Sequence, residues 1–492
     1  MNMHAKLPIR LSAAILAALL ASSAFLTACS SGNSGTADTA AQTTANTTPA
    51  ETTPVEEITR ENYPDTLPEM DLQGSTVNVN VISDDAYKVD WVAEQKGDII
   101  EDAVYARNMA VEERLKVKLN ILTAHGARAD KAAPVINAIL AGDDAIQIVN
   151  IAAQSVASFL QSDLLQNMLD LPHLNFNQPW WNGDAMDVCR FNGQAYFATG
   201  EIAFRYLDGM AVYVFNDKVA KQFGITDIYD TFFAGNWTYD KLFAYTEIAH
   251  SDLNGDGSMT DADLWGLDTN TGANIDPYYA SWDQPITKIG TSGFPEMCVN
   301  NDKMVSVVEK LYKLYNENPG CYNAGNSASG NIFTAGRALF AAQQITFVKK
   351  LREADFEFGV LTFPKFDEKQ EQYYTHNRSG YSLYAIANPA RNADHAAAVL
   401  EAAAAESYRK VTAVYIEEGL KLKYSRDAET GRVIDIMLAG IKPDFAFYTD
   451  IMYILREVLA AGTSNFSSFY ASNEKVYQGI LDDLKAKFAK NS

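Results

Sequence analysis

The sharpest chemical pattern in the chain is one twelve-residue loop, Asp252-Leu253-Asn254-Gly255-Asp256-Gly257-Ser258-Met259-Thr260-Asp261-Ala262-Asp263. Oxygen-bearing side chains stand at loop positions one, three and five as Asp252, Asn254 and Asp256. Gly257 follows at position six, where the chain must turn sharply. Ser258 at position seven offers its backbone carbonyl, Thr260 at position nine a hydroxyl or a bridging water, and Asp263 closes the loop. This is the EF-hand spacing, and Ca2+ requires it because six to eight hard oxygens must converge at about 2.3–2.6 Å. Asp263 stands where EF-hands usually carry Glu, so the loop is more similar to the dockerin type, and bidentate closure is in doubt. A polar Asp/Gly turn without metal is the plainer alternative. The expected cofactor is a structural Ca2+.

A second pattern is aromatic. The chain has 25 Tyr, 24 Phe and 6 Trp, including Trp180-Trp181, Tyr278-Tyr279, Trp282 and Tyr373-Tyr374. Aromatic faces stack on the CH-rich faces of sugar rings while flanking polar groups take the hydroxyls. For any single aromatic, core packing is the plainer role. Trp180 and Trp181 are adjacent and follow Pro179, so one core does not easily take both. One of them is expected to line a cleft.

Catalytic motifs are few. No G-x-x-x-x-G-K-[ST], G-x-S-x-G or H-E-x-x-H occurs, and the six His are scattered. Carboxylate pairs of the kind a glycosidase uses are available in any chain with 62 acidic residues. Those acids oppose 40 Lys plus Arg, for a net charge of −22. Such a balance argues against nucleic acid, whose phosphates need a basic footprint. Cys189, Cys298 and Cys321 leave a Cys298–Cys321 disulfide open.

The first 28 residues read as an export leader. Lys6 and Arg10 precede the apolar stretch Leu11–Leu26, and Leu26-Thr27-Ala28-Cys29 resembles a lipobox, which implies lipidation of Cys29. Residues 29–71 are expected to form the lipidated N-terminus and a disordered tether, since the Ser/Thr/Ala/Gly-rich stretch after Cys29 buries too little apolar surface to fold. No second run of about 18 apolar residues follows, so nothing else is expected to span a bilayer.

These residues need a scaffold, and the periodicities describe one. Val77, Val79 and Val81 alternate as a strand. Ile100, Val104, Val111 and Leu115 share a helix face that Arg107 and Asn108 interrupt. Val117, Leu119 and Ile121 alternate again. Val135–Leu140 form a helix closed by Gly142, then come a strand over 145–151 and a helix over 155–168. Such alternation implies βαβ units and a mainly parallel sheet, with ligands at the carboxyl ends of the strands. A second α/β stretch begins with the strand Val212–Phe215. Thr238 caps a helix to about His250, and helical segments are expected near 303–316 and 333–342. Strands over 358–361 and 381–386, an Ala-rich helix over 393–406 and a mostly helical last stretch complete the pattern.

This order resembles the extracellular solute-binding proteins of bacterial ABC importers, the family that includes maltose-binding proteins. The resemblance rests on Gly97–Ile100 leading into Asn108–Arg114, on Val214–Lys218 followed by Phe223–Ile225 and Asn236–Leu242, on Phe333–Phe340, and on Phe358–Pro364. It implies a two-lobed periplasmic-binding-protein-like α/β fold, each lobe a mainly parallel sheet flanked by helices, with a hinge and an interlobe cleft. Lobe one would hold 72–205 plus 375–425, and lobe two 206–374 plus 426–492. By family position Gln154, Arg205, Tyr206, Gln343, Arg378 and Tyr381 become ligand-binding candidates beside Trp180, Trp181 and Trp282. The implied function is a monomeric, lipid-anchored extracytoplasmic receptor that passes a mono- or oligosaccharide to ABC permease subunits. The alternative is a surface glycoside hydrolase or another carbohydrate-active enzyme.

Overall fold

The structure is a computed structural model and describes residues 57–488 apart from 124–131, 143–145, 379–380 and 423–425. Cys29, the leader and most of the expected tether lie outside the described residues. Ile58–Ser492 forms one compact unit.

Two sheets organise this unit. The chain lays down β1 (Thr76–Asn80), β2 (Lys118–Leu122) and β3 (Ile148–Ala152). It then builds a second sheet from β4 (Ala211–Asn216), β5 (Trp265–Thr269), β6 (Cys321–Asn323), β7 (Ala338–Gln344) and β8 (Phe358–Leu361). Finally it returns to the first sheet as β9 (Ser382–Ile386). The first sheet has the order β9-β3-β1-β2 and the second β6-β5-β7-β4-β8. In lobe one, β1 runs parallel to β2 and β3, and only β9 is antiparallel. Lobe two is evenly mixed: β5 runs parallel to β6 and β7, while β4 is antiparallel to β7 and β8. The expectation of a mainly parallel sheet therefore describes lobe one and not lobe two.

Most sequence-derived elements appear where the periodicity puts them. The helix α1 (Ile99–Leu115) is capped by Asp98, whose carboxylate accepts from the N–H groups of Ile100 and Glu101. The Ala-rich α2 (Ala393–Glu406) packs on α1, with Ala396, Ala397, Ala398 and Ala402–Ala405 fully buried. Two expectations fail. The 155–168 helix stops at Ser162, because Asp163 adopts the left-handed conformation. The segment 338–344 is a strand and not a helix. Its run Ala338–Ala342 is buried on both faces between β4 and β5, so it shows no period from which strand could be told from helix.

The segment 58–71, counted with the tether in the sequence reading, is fastened to lobe one together with Leu72. Arg60 pairs with Glu201 at 2.6 Å and lies 3.9 Å over the ring of Tyr408. Asp65 bridges Arg114 and Arg409, each at 2.6 Å. Leu67 and Leu72 are buried in the core that covers β1. Cys189, Cys298 and Cys321 are all free, so the Cys298–Cys321 disulfide is absent; the thiol of Cys298 donates to the carbonyl of Pro285 instead.

Candidate ligand-binding site

Two crossing segments join the sheets and run antiparallel. Ala211 donates to the carbonyl of His376 at 2.9 Å, and Arg378 donates to that of Gly209 at 3.1 Å. One segment leads into β4 and the other precedes β9. Tyr206 and Tyr381 meet edge to face at 4.5 Å beside these crossings. The Tyr381 hydroxyl pairs with that of Tyr448 at 2.9 Å, and burial pushes both phenols well above their ordinary range. Burial holds the His376 imidazole down at about 3, with Arg378 and Arg456 adding to the effect, so it stays neutral at ordinary pH.

In lobe two the carboxyl ends of β5 and β7 carry an uncharged polar cluster. The side-chain amides of Asn270, Asn274 and Gln343 donate to the hydroxyl oxygen of Ser329 at 3.1, 2.9 and 3.1 Å. Asp268, buried in β5, explains why Ser329 is there. One of its carboxylate oxygens accepts from the N–H groups of Gly330, Ile332 and Phe333 at 3.0, 3.0 and 3.1 Å. Burial pushes its carboxyl up while those three donors pull it down. Gly330 has φ +100°, and a Cβ there would sit 2.6 Å from Phe347 Cε2 and 2.8 Å from Gln343 Nε2. The turn therefore tolerates glycine alone without a shift.

Of the sequence-derived candidates, Gln343 belongs to this cluster, and Tyr206, Arg378 and Tyr381 belong to the crossings. Gln154 is exposed just after β3, where Ala153 donates to the carbonyl of Tyr381 at 3.2 Å. Arg205 pairs with Asp208 at 2.8 Å. The three candidate tryptophans are buried. Trp282 is fully buried in lobe two, its indole N–H on the carbonyl of Pro364. Trp180 and Trp181 are 0% and 3% exposed and enter the same core. Their indole N–H groups donate to the two oxygens of one carboxylate, Glu401, at 3.0 and 2.9 Å. One core therefore takes both, contrary to the expectation from their adjacency, because a single carboxylate receives both indole N–H groups; Trp181 itself sits in an isolated bridge to Gly200. Both tryptophans and Tyr206 line a separate cavity of about 410 Å³, together with Arg60, Glu201 and Ile441.

Sequence reasoning missed Asn270, Asn274 and Ser329. The position of Asn270 directly after β5 was the available signal. It also missed a buried polar knot in lobe one. Asp90 is fully buried, with Oδ2 accepting from Ser382 at 2.6 Å and Tyr384 at 2.9 Å, and burial pushes its carboxyl up to about 6.

The 252–263 loop closes at the amino end of β5 through paired hydrogen bonds between Ser251 and Leu264. Gly255 and Gly257 take φ +73° and +81°. Asp252 accepts from the N–H groups of Gly255 and Gly257, Asn254 from Asp256, Asp256 from Ser258, and Asp263 from Leu253 and Thr260. The order of oxygens and the turn fit a hard cation. Among the described residues, however, no three His, Cys, Asp or Glu side chains converge as metal ligands.

Among the described residues, no helix is long and apolar enough to cross a membrane. No family model and no curated protein matches the chain. Solved structures do match the fold. An ABC substrate-binding protein from Listeria monocytogenes in complex with cycloalternan aligns with a TM-score of 0.51 and 13% identity, over 85% of this chain and 100% of that one. A cyclo/maltodextrin-binding protein complexed with maltotetraose gives 0.52 and 12%, over 85% and 97%. UgpB from Mycobacterium tuberculosis in complex with glycerophosphocholine gives 0.52 and 16%, over 83% and 98%. Two α/β lobes, two antiparallel crossings and these alignments agree: the chain has the fold of the maltose-binding-protein-like extracellular solute-binding proteins.

Proposed function

We propose that the chain is a lipid-anchored extracytoplasmic receptor of an ABC importer, which captures a mono- or oligosaccharide between its lobes and releases it unchanged to the permease. The observation that carries the reading is the uncharged cluster of Asn270, Asn274, Ser329 and Gln343 at the strand carboxyl ends, in the lobe that the crossings join to lobe one. Amide and hydroxyl groups match sugar hydroxyls without the desolvation cost of a buried charge. The structural neighbours support a solute-binding role, two of them through the cycloalternan and maltotetraose they hold and one through glycerophosphocholine. Lipidation at Cys29 rests on the lipobox-like sequence. A structural Ca2+ in the 252–263 loop rests on its twelve-position order and its two left-handed glycines.

Ligand contact with both lobes stabilises the closed arrangement alone and shifts the population toward it. The test is small-angle scattering and thermal-shift screening of the purified protein against a sugar panel. A cognate sugar should reduce the radius of gyration, raise the unfolding midpoint and come back intact after prolonged incubation. Steady hydrolysis of the bound sugar, abolished by one carboxylate substitution, would replace the receptor with a glycosidase.

A further inference from the structure

The cavity beside the crossings takes its walls from both lobes. Trp180 and Trp181 belong to the core of lobe one, and Thr199 is tied to β9 through the carbonyl of Ser382 at 3.1 Å. Tyr206 and Leu207 stand at the head of the first crossing. Leu438 comes from the helix Glu429–Ala439, which packs against β8 of the second sheet. Ile441 follows that helix and lies in an isolated bridge to Thr375, just before the second crossing. The volume of about 410 Å³ is that of a small-molecule pocket.

The lining decides what this space can hold. Most of its polar side chains are committed elsewhere. The two indole N–H groups go to Glu401, the hydroxyl of Thr199 to Ser382, and that of Thr412 to the carbonyl of Glu201 at 3.2 Å. Asn182 Oδ1 accepts from the N–H of Ala185 at 3.0 Å. Phe204, Leu207, Ile416, Leu438 and Ile441 make the rest apolar. A sugar, with a hydroxyl on nearly every carbon, would leave most of them unpaired against such walls. Two donors remain, Nη1 of Arg60 and Nδ2 of Asn182, neither with a hydrogen-bond partner among the described residues. The carboxylate of Glu201 is the acceptor beside them. Arg60 and Glu201 neutralise each other in their 2.6 Å bridge, so an entering ion would lose its water without meeting an unpaired counter-charge. The complement is a neutral molecule whose one polar group both donates and accepts.

We propose that this cavity is a second ligand site, distinct from the lobe-two cluster, and that it takes a small uncharged molecule with an apolar ring and a single hydroxyl or amide group. The site stands without the receptor reading. On that reading it gains a role: an occupant touches both lobes, favours the hinge angle at which those walls meet, and so couples to solute capture.

Fluorine NMR of the full-length chain compares para-fluorobenzyl alcohol with para-fluorobenzoate and para-fluorobenzylamine, which keep the ring and change the charge. The alcohol should bind saturably, about tenfold or more tightly than either ion. Leu438→Trp, at a half-buried position, should fill the space and weaken the alcohol by about tenfold or more. Ile416→Trp, from a separate helical segment, gives the same reading if Leu438→Trp lowers the unfolding midpoint. Absence of saturable binding overturns the proposal, and so does tighter binding of either ion. Unchanged affinity in both tryptophan variants overturns it too. With a sugar that closes the lobes present, the dissociation constant of the alcohol should shift; an unchanged constant removes the coupling. If no solute closes the lobes but the alcohol binds as stated, the receptor reading fails and the ring site stands.

Discussion

Arg107 donates from Nη2 to the backbone carbonyl of Asp90 at 2.6 Å, and its guanidinium lies 4.8 Å over the ring of Trp91. Arg107 is fully buried, and burial lowers it to about 10. The gap that this residue leaves in the apolar face of α1 is therefore an anchor point. It ties α1 to the chain that follows β1, while the Asp90 carboxylate ties the same chain to Ser382 and Tyr384 of β9.

That arrangement predicts a pH effect. The Asp90 carboxyl rises from an ordinary 3.8 to about 6 in the fold. A carboxyl raised in this way contributes stability while it is neutral, and loses that contribution as pH climbs from its unfolded value through about 6. Asp90→Asn should remove this slope. Relative to the wild type, the variant should gain up to about 3 kcal/mol between pH 4 and 7. Urea unfolding of both proteins across that range checks it, and parallel pH profiles would refute it.

Glu401 gives a second prediction. Its side chain is the sole recorded acceptor, among the described residues, for the indole N–H groups of Trp180 and Trp181. Glu401→Ala leaves two buried donors unpaired and should cost about 2–4 kcal/mol. Denaturant midpoints measure the loss. A change below about 0.5 kcal/mol would mean that water replaces the carboxylate.

Calcium should act on stability. At a concentration about a hundredfold above its dissociation constant, a bound ion adds about 2.7 kcal/mol. Chelation should lower the thermal midpoint of the wild type but leave Asp256→Ala unchanged. Equal responses in the two proteins would make the loop a plain turn.

Lipidation should decide where the protein is found. The wild type should partition into the detergent-rich phase, and Cys29→Ser should release it to the aqueous phase. Mass spectrometry of an unmodified Cys29 in an aqueous wild type would remove the anchor, since stable attachment needs more than one acyl chain.

Legibility in the sequence followed periodicity. β1, α1 and α2 are amphipathic or compositionally distinct, and their bounds were readable to within a few residues. β7 was not, because a strand covered on both faces has no alternation to read. In the site, Gln343 was named by its family position just after an expected strand. Ser329 was not, because its position comes from Asp268, more than 60 residues earlier in the chain, reaching three N–H groups of a turn. The paired tryptophans misled for a related reason: a single long-range carboxylate, Glu401, makes one core hospitable to both indole N–H groups.

The fastening of residues 58–72 to lobe one has a mechanical consequence. Arg60 is gripped by Glu201 and Tyr408, and Asp65 by Arg114 and Arg409, all on the same lobe. On the lipid-anchor reading proposed above, a pull from upstream would fall on lobe one and not on lobe two. On the receptor reading proposed above, lobe one would be the stator and the swing between open and closed would belong to lobe two. A tension applied there would enter the protein at Glu201, at the head of the segment that leads into the first crossing, and at the Asp65 pairs on lobe one.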